Sequence, residues 1–130
     1  LGICLGLQLF FSTSEEHGEN QGLGLLEGKV VRFRSNDLKI PHMGWNTVSL
    51  TQTGSPLFAG IDDSSFFYFA HSFHVEPSSP EVSAGVTEYG NRFVSAVRKN
   101  RIFGTQFHPE KSGSAGLKII SNFRDIVFES

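Results

Sequence analysis

The rhythm of apolar and polar positions changes several times along this chain, and each change predicts an element. Residues 5–11 (LGLQLFF) form an apolar run that predicts the start of a buried helix just after Gly2-Ile3-Cys4. The polar stretch 12–20 is expected to end that helix, with a turn over the glycine-rich residues 22–28. Residues 29–33 (KVVRF) carry the β-branched content of a strand, and Ser35-Asn36-Asp37 reads as a turn. Pro41 and Gly44 punctuate residues 41–46, so a loop is expected there, followed by a short strand over 47–50. Residues 55–61 read as a short helical turn. The most aromatic run, 65–75 (SFFYFAHSFHV), predicts one buried strand broken by the prolines at 77 and 80. Residues 82–88, 93–97 and 102–106 then read as a meander of strands, with turns at 89–91 and 99–100. Over 115–128, Leu117, Ile120, Phe123, Ile126 and Val127 recur at helical spacing and predict an amphipathic helix, with Ser112-Gly113-Ser114 as its N-cap region. A helix near the start, a strand-rich middle and a closing helix indicate an α/β domain.

Composition adds bounds. At 130 residues the chain fits one domain and can bury a core. A net charge of −2 gives no basic excess, so neither nucleic acid nor an anionic membrane surface is an expected partner. The single cysteine excludes an internal disulfide framework and fits a reducing compartment, so a cytoplasmic location is expected. No apolar run approaches the roughly 18 residues needed to span a bilayer. His17, His42, His71 and His74 have no metal-ligand spacing. They read as structural, with His71 and His74 on opposite faces of one strand, and neither a metal nor a cofactor is expected.

The candidate chemistry sits at the two ends of the chain. Gly2-Ile3-Cys4-Leu5-Gly6 has the form G-x-C-x-G. Glycines two residues either side of a nucleophile allow a sharp strand-to-helix turn that a side chain would obstruct. Such a turn exposes the Cys4 sulfur at a helix N-terminus, where N–H groups and the helix dipole favour thiolate. The competing reading of Cys4 is a small buried hydrophobe. A nucleophile needs a base and the base an orienting group, and His108-Pro109-Glu110 can supply both. Pro109 disfavours helix at His108, so the segment is expected to be extended, with both side chains on one face. Gln8 lies one helical turn past Cys4 and faces the same site. An elbow normally follows a buried strand. None precedes Leu1, so residues 1–130 are expected to be the C-terminal part of a single domain, cut within or just after that strand.

G-I-C-L-G-x-Q together with G-x-Q-F-H-P-E-K-S resembles the class I glutamine amidotransferases. That family implies an α/β, flavodoxin-like fold, a mixed sheet with flanking helices, here lacking its N-terminal strands and helices. It also implies hydrolysis of glutamine to glutamate and ammonia by a Cys–His–Glu triad of Cys4, His108 and Glu110. The run P-H-M-G-W-N at 41–46, with G-L-G-L-L-E-G-K-V before it and F-Y-F-A-H-S-F after it, is similar to one branch of the family. Members of that branch are glutaminase subunits that form a heterodimer with a (β/α)₈-barrel cyclase and pass it ammonia in histidine biosynthesis.

The resemblance implies that Gln8 contacts substrate glutamine, that Glu16 holds its α-ammonium, and that Ser72 and the Phe73 backbone grip its α-carboxylate. The family usually has Tyr where this chain has Phe73, which puts a contact through the ring oxygen in doubt. Met43, Trp45 and Asn46 match the loop that meets the cyclase, and Tyr68 and Lys111 match further interface positions. For Trp45 the competing reading is a core aromatic, and for Lys111 a solvated charge. The Leu5 N–H can serve as one oxyanion donor. The family's second donor comes from a glycine-rich loop upstream of the elbow, so the 130-residue chain alone is expected to be a poor glutaminase. Three other readings compete: a paralogous amidotransferase for cell-surface sugar, which residues 89–96 resemble, a non-catalytic binding module, and a γ-glutamyl peptidase with the same elbow.

Overall fold

The computed structural model describes residues 1–16, 18–34 and 37–129. The chain runs β1 (Gly2–Ile3), α1 (Leu5–Leu9), β2 (Phe11–Ser14), β3 (Asn20–Gln21), β4 (Leu26–Arg32), β5 (His42–Leu50), β6 (Ser65–His71), β7 (Phe73–Pro77), β8 (Ser83–Tyr89), β9 (Asn91–Lys99), β10 (Ile102–Thr105) and α2 (Gly113–Phe128). One mixed sheet holds all the strands in the order β3-β2-β4-β7-β9-β8-β5-β6, and β1 pairs through β10 to β9. The β1–β10 and β2–β4 pairs are parallel and the others antiparallel. The long strand β9 serves three neighbours and joins the elbow end of the sheet to its middle.

The meander of β8, β9 and β10 follows the sequence expectation, and the short turn over 55–61 contains a 3-10 turn at Pro56–Phe58. Elsewhere tertiary pairing overrides local pattern. Helix α1 ends at Leu9, and Phe11 opens β2, because its fully buried ring joins the cluster of Leu7, Leu26, Val30 and Val75. Part of the polar stretch after it is therefore strand. Residues 42–46 are not a loop. They pair with β6 from His42↔His71 to Val48↔Ser65, despite the positive φ of Gly44. The aromatic run 65–75 is two strands. The chain leaves β5 at Ser72 and re-pairs as β7 with β4 and β9. His71 and His74 are thus not opposite faces of one strand, since both rings pack on Phe33, at 5.2 and 4.9 Å. Ser35 and Asn36 of the expected turn, and His17, lie outside the described residues.

Helix α2 forms where expected, and Phe123 and Ile126 of the expected face pack on the core, but the fully buried face is rotated from it. Gly116, Ile119 and Asn122 are its buried positions, while Leu117 and Val127 lie outward. Two features set that rotation. A Cβ on Gly116 would stand 1.9 Å from the Pro109 carbonyl oxygen, so the helix rests there on the 3-10 turn Pro109–Lys111. The Asn122 amide donates to the carbonyls of Leu57 and Ala59, both at 2.9 Å. The Ser112 side chain makes no capping bond to the helix. Its hydroxyl instead donates to the His108 carbonyl and accepts from the Tyr68 N–H.

The main core packs Phe33, Phe67, Phe69, Phe93, Phe103 and Phe107 under α2. Phe107 stacks on Phe67 at 4.1 Å, which fixes the point where the chain leaves the core at His108. Two imidazoles belong to the same interior. Burial lowers His42 to about 4 and His71 to about 3.

Both the buried imidazoles and the seat of α2 can be tested through stability. Unfolded imidazoles titrate near 6.5, so the unfolded chain gains protons first as pH falls. The contribution of the neutral His42 and His71 is complete above that pH and is lost as pH drops toward 4. The urea midpoint should therefore fall between pH 7.5 and pH 4.5, and a flat midpoint would contradict neutral burial. Gly116→Ala should lower stability by about 1–3 kcal/mol by forcing α2 off the Pro109 carbonyl. This opposes the gain of about 1 kcal/mol that Ala brings to a helix, and a raised melting temperature would be the contrary result.

Candidate active site

Cys4 occupies the turn between β1 and α1 with φ 55° and ψ −103°, a conformation side chains rarely adopt. It is held there by its N–H, which donates to the Thr105 carbonyl at 2.8 Å, and by the pairing of Gly2 with Gly104. A Cβ on Gly2 would lie 2.6 Å from the Gly6 backbone, so the first glycine of the elbow is required by close approach. The second is not, because a Cβ on Gly6 meets nothing within 4 Å.

Strand β6 brings the two ends of the chain together. The Cys4 Sγ lies 3.9 Å from the Ala70 carbonyl oxygen, and the His108 N–H donates to the Tyr68 carbonyl at 2.9 Å. Tyr68 and Ala70 are two residues apart on one strand, so their carbonyls point to one edge, roughly 7 Å apart. His108 Nδ1 donates to Glu110 Oε2 at 2.9 Å. A carboxylate accepts, so Nδ1 carries a proton and Nε2 is left for other partners. The segment is not extended through Glu110 as expected. His108 is extended, but residues 109–111 form a 3-10 turn, and the pair meets through that turn.

Gln106 completes the contacts to sulfur. It is fully buried, its Nε2 lies 3.7 Å from Cys4 Sγ, and its Oε1 accepts from Gln8 Nε2 at 3.3 Å. Gln8 Nε2 also donates to the Phe73 carbonyl at 3.2 Å. The role of Gln106 was not read from sequence. It stands two residues before His108 at the exit of β10, and that spacing was the available signal.

The thiol is not tuned toward thiolate. Burial pushes Cys4 up from its ordinary value, and the charges of Glu110 and Glu16 push the same way. The Leu5 N–H and the Gln106 amide oppose this. Helix α1, with five residues, has little macrodipole to offset the burial.

A cavity of about 380 Å³ opens at the sulfur and is lined by Cys4, Leu5, Gln8, Glu16, Ser72 and Phe73, among others. The candidate substrate residues thus converge on one space of small-molecule size. The candidate interface residues divide. Met43 and Trp45 are exposed, at 64% and 55%, and Trp45 meets Tyr68 edge-on at 5.9 Å on the outer face of the β5–β6 hairpin. Trp45 is therefore not a core aromatic. Lys111 is exposed at the end of the 3-10 turn Pro109–Lys111. Asn46 points to the inner side, where its amide donates to the Glu88 carbonyl at 2.9 Å and reaches His42 Nε2 at 3.3 Å. Among the described residues, no group of three His, Cys, Asp or Glu side chains is placed to hold a metal ion, and no helix is long and apolar enough to cross a membrane.

The profile of the family described as glutamine amidotransferase class-I matches residues 1–126. The chain is 51% identical over 127 residues to imidazole glycerol phosphate synthase subunit HisH 1 of Methanococcus maripaludis, covering 98% of this chain and 62% of that protein. It is 50% identical over 127 residues to subunit HisH of Methanocaldococcus jannaschii, covering 98% and 63%. The chain thus spans somewhat under two thirds of the length of these relatives. Among solved structures, the fold matches a protein described as one subunit of GMP synthase, from Thermoplasma acidophilum, with TM-score 0.69 and 22% identity, over 98% of this chain and 56% of that one. It also matches a glutamine amidotransferase from Thermotoga maritima with TM-score 0.59 and 17% identity, over 98% and 47%.

The state of the thiol gives a direct readout. Alkylation of Cys4 by iodoacetamide should rise with pH through an inflection above that of an ordinary thiol. An inflection below neutrality would mean that the N–H groups around the sulfur outweigh its burial.

Proposed function

We propose, for a chain that belongs to the class I glutamine amidotransferases, that it carries the catalytic centre of a glutaminase subunit of imidazole glycerol phosphate synthase. In this reading it hydrolyses glutamine and passes the ammonia to a cyclase subunit in histidine biosynthesis. The observation that carries the reading is the convergence of Cys4, Gln8, Glu16, Ser72 and Phe73 on one cavity, with a base oriented by Glu110 held on the same strand edge. The 51% identity to a HisH subunit supports the assignment within the family.

The chemistry follows from the atoms. Glutamine enters with its α-ammonium toward Glu16 and its α-carboxylate toward Ser72 and the Phe73 backbone. His108 Nε2 takes the proton from Cys4 Sγ as the sulfur bonds to the side-chain amide carbon. The Leu5 N–H donates to the oxygen that becomes negative. Glu110 stabilises the imidazolium and keeps its orientation. The C–N bond then breaks, His108 gives its proton to the leaving nitrogen, and ammonia departs from a glutamyl thioester. Water adds to the thioester with His108 as base, the C–S bond breaks, and glutamate leaves with the thiol restored. Because burial raises the thiol's pKa, proton transfer to His108 accompanies attack and is helped by substrate that excludes water from the cavity.

The exposed face of Met43, Trp45 and Tyr68, with Lys111 near it, is the proposed docking surface for the cyclase, a (β/α)₈ barrel in a heterodimer. Rigid aromatics of this kind suit interface anchors. The protein is proposed to act in the cytoplasm. Residues 1–130 are proposed to be the C-terminal part of one amidotransferase domain.

In the full-length protein with its cyclase, Cys4→Ala and His108→Ala should each lower ammonia release from glutamine by roughly 10⁴-fold or more, and the double variant should be scarcely worse than either single one. Multiplicative losses, or a Cys4→Ala variant that still releases ammonia at the original rate, would overturn the triad.

A further inference from the structure

Behind the cavity lies a line of polar groups, the buried His42 and His71 and the half-buried Asn46, that the triad chemistry does not use. Asn46 Nδ2 stands 3.3 Å from His42 Nε2, His42 Nδ1 stands 2.9 Å from His71 Nε2, and His71 Nδ1 stands 2.8 Å from the Phe73 carbonyl oxygen. Both ends fix the direction of donation. The Phe73 carbonyl can only accept, so His71 carries its proton on Nδ1. His71 is neutral, so its Nε2 accepts, and His42 must donate from Nδ1. His42 is neutral in turn, so its Nε2 accepts from the Asn46 amide. That amide cannot be reversed, because Asn46 Oδ1 accepts from the Thr47 N–H at 2.8 Å while Nδ2 donates to Glu88. Each ring nitrogen has one partner and the polarity never conflicts along the line.

The terminus of this line is a working part of the proposed site. The Phe73 carbonyl also accepts from Gln8 Nε2, which reaches through Gln106 to the Cys4 sulfur. His71 itself lines the cavity beside Ser72 and Phe73. We propose that His71 is a positioning residue. Its Nδ1–H holds the Ser72–Phe73 break between β6 and β7 in the geometry that receives the substrate carboxylate, and His42 and Asn46 lock its tautomer from strand β5. The proposal rests on the glutaminase reading. The competing role for His71 is packing alone, because its ring also lies 5.2 Å from Phe33 and 5.3 Å from Phe93.

The two roles separate by isosteres. Asn at position 71 can place its amide N–H near the Nδ1 site, whereas Gln reaches the Nε2 site and leaves Phe73 without that donor. In the full-length protein with its cyclase, and with L-glutamine as substrate, His71→Gln should raise KM on the order of tenfold, as loss of a buried donor implies, with a smaller change in kcat. His71→Asn should bring KM back to within about threefold of the original. Equal defects in both variants, or none in either, would overturn the positioning role. A second readout does not depend on the variants folding. Nitrogen-15 spectra of the unsubstituted protein should place the imidazole protons of His42 and His71 on Nδ1, and a proton on Nε2 of His71 would sink the proposal. Cys4→Ala run alongside keeps the two claims apart. If it still hydrolyses glutamine, the glutaminase reading fails while the tautomers still judge the line of bonds.

Discussion

The backbone of Cys4 is the constraint on which the rest depends. A non-glycine residue at φ 55° and ψ −103° stores strain, of order 1–3 kcal/mol, and persists only where its surroundings fix it. Here the surroundings are specific. The Cys4 N–H is tied to the Thr105 carbonyl, β1 lies parallel to β10, and the absent side chain of Gly2 lets the first turn of α1 fold back over the strand. The strain aims the sulfur out of the sheet at β6. Without it, the thiol would join the sheet as one more small buried side chain.

Strand β6 then acts as the ruler of the site. It accepts the backbone of His108 at Tyr68 and meets the sulfur at Ala70, so Cys4 and His108 are registered against one strand. The base side of that register is held from below. Phe107 is clamped in the aromatic core, Ser112 bridges the Tyr68 N–H and the His108 carbonyl, and α2 sits against Pro109 where Gly116 leaves room. Packing energy far from the chemistry is thereby converted into placement of the His108 ring. The closing helix buries Gly116 and Asn122 and leaves Leu117 outside for this reason.

Much of this was legible in the sequence, and the failures share one cause. The elbow, the His108–Glu110 pair and the meander of β8 to β10 depend on neighbouring residues and local spacing, which a sequence carries on its face. The hairpin of β5 and β6 depends on a partner strand. Pro41 and Gly44 mark residues 41–46 as loop by local chemistry, yet pairing from His42 onward makes them strand. The aromatic run 65–75 looked continuous because each half is buried, and only the change of partner at Ser72 divides it. Thiol ionisation failed in the same way. A helix start favours thiolate locally, but burial is a property of the whole fold and it prevails. Gln106 was overlooked because a buried glutamine has no meaning until Cys4 and Gln8 are beside it.

The same hairpin gives the site its link to the outside. Alternation along β5 sends Met43 and Trp45 to the exposed face and His42 and Asn46 to the interior, so adjacent residues on one strand serve two surfaces. A strand is stiff along its length, so the outer face at Trp45 and Tyr68 cannot shift without also shifting the inner one. The inner face ends in the hydrogen bonds to His71 and to the carbonyl that holds Gln8. Any displacement of β5 relative to β7 must stretch the buried bond between His42 and His71 or the bond from His71 to the Phe73 carbonyl, and that cost is high in a low-dielectric interior. The exposed face of the hairpin and the carbonyl that holds Gln8 therefore share one mechanical element.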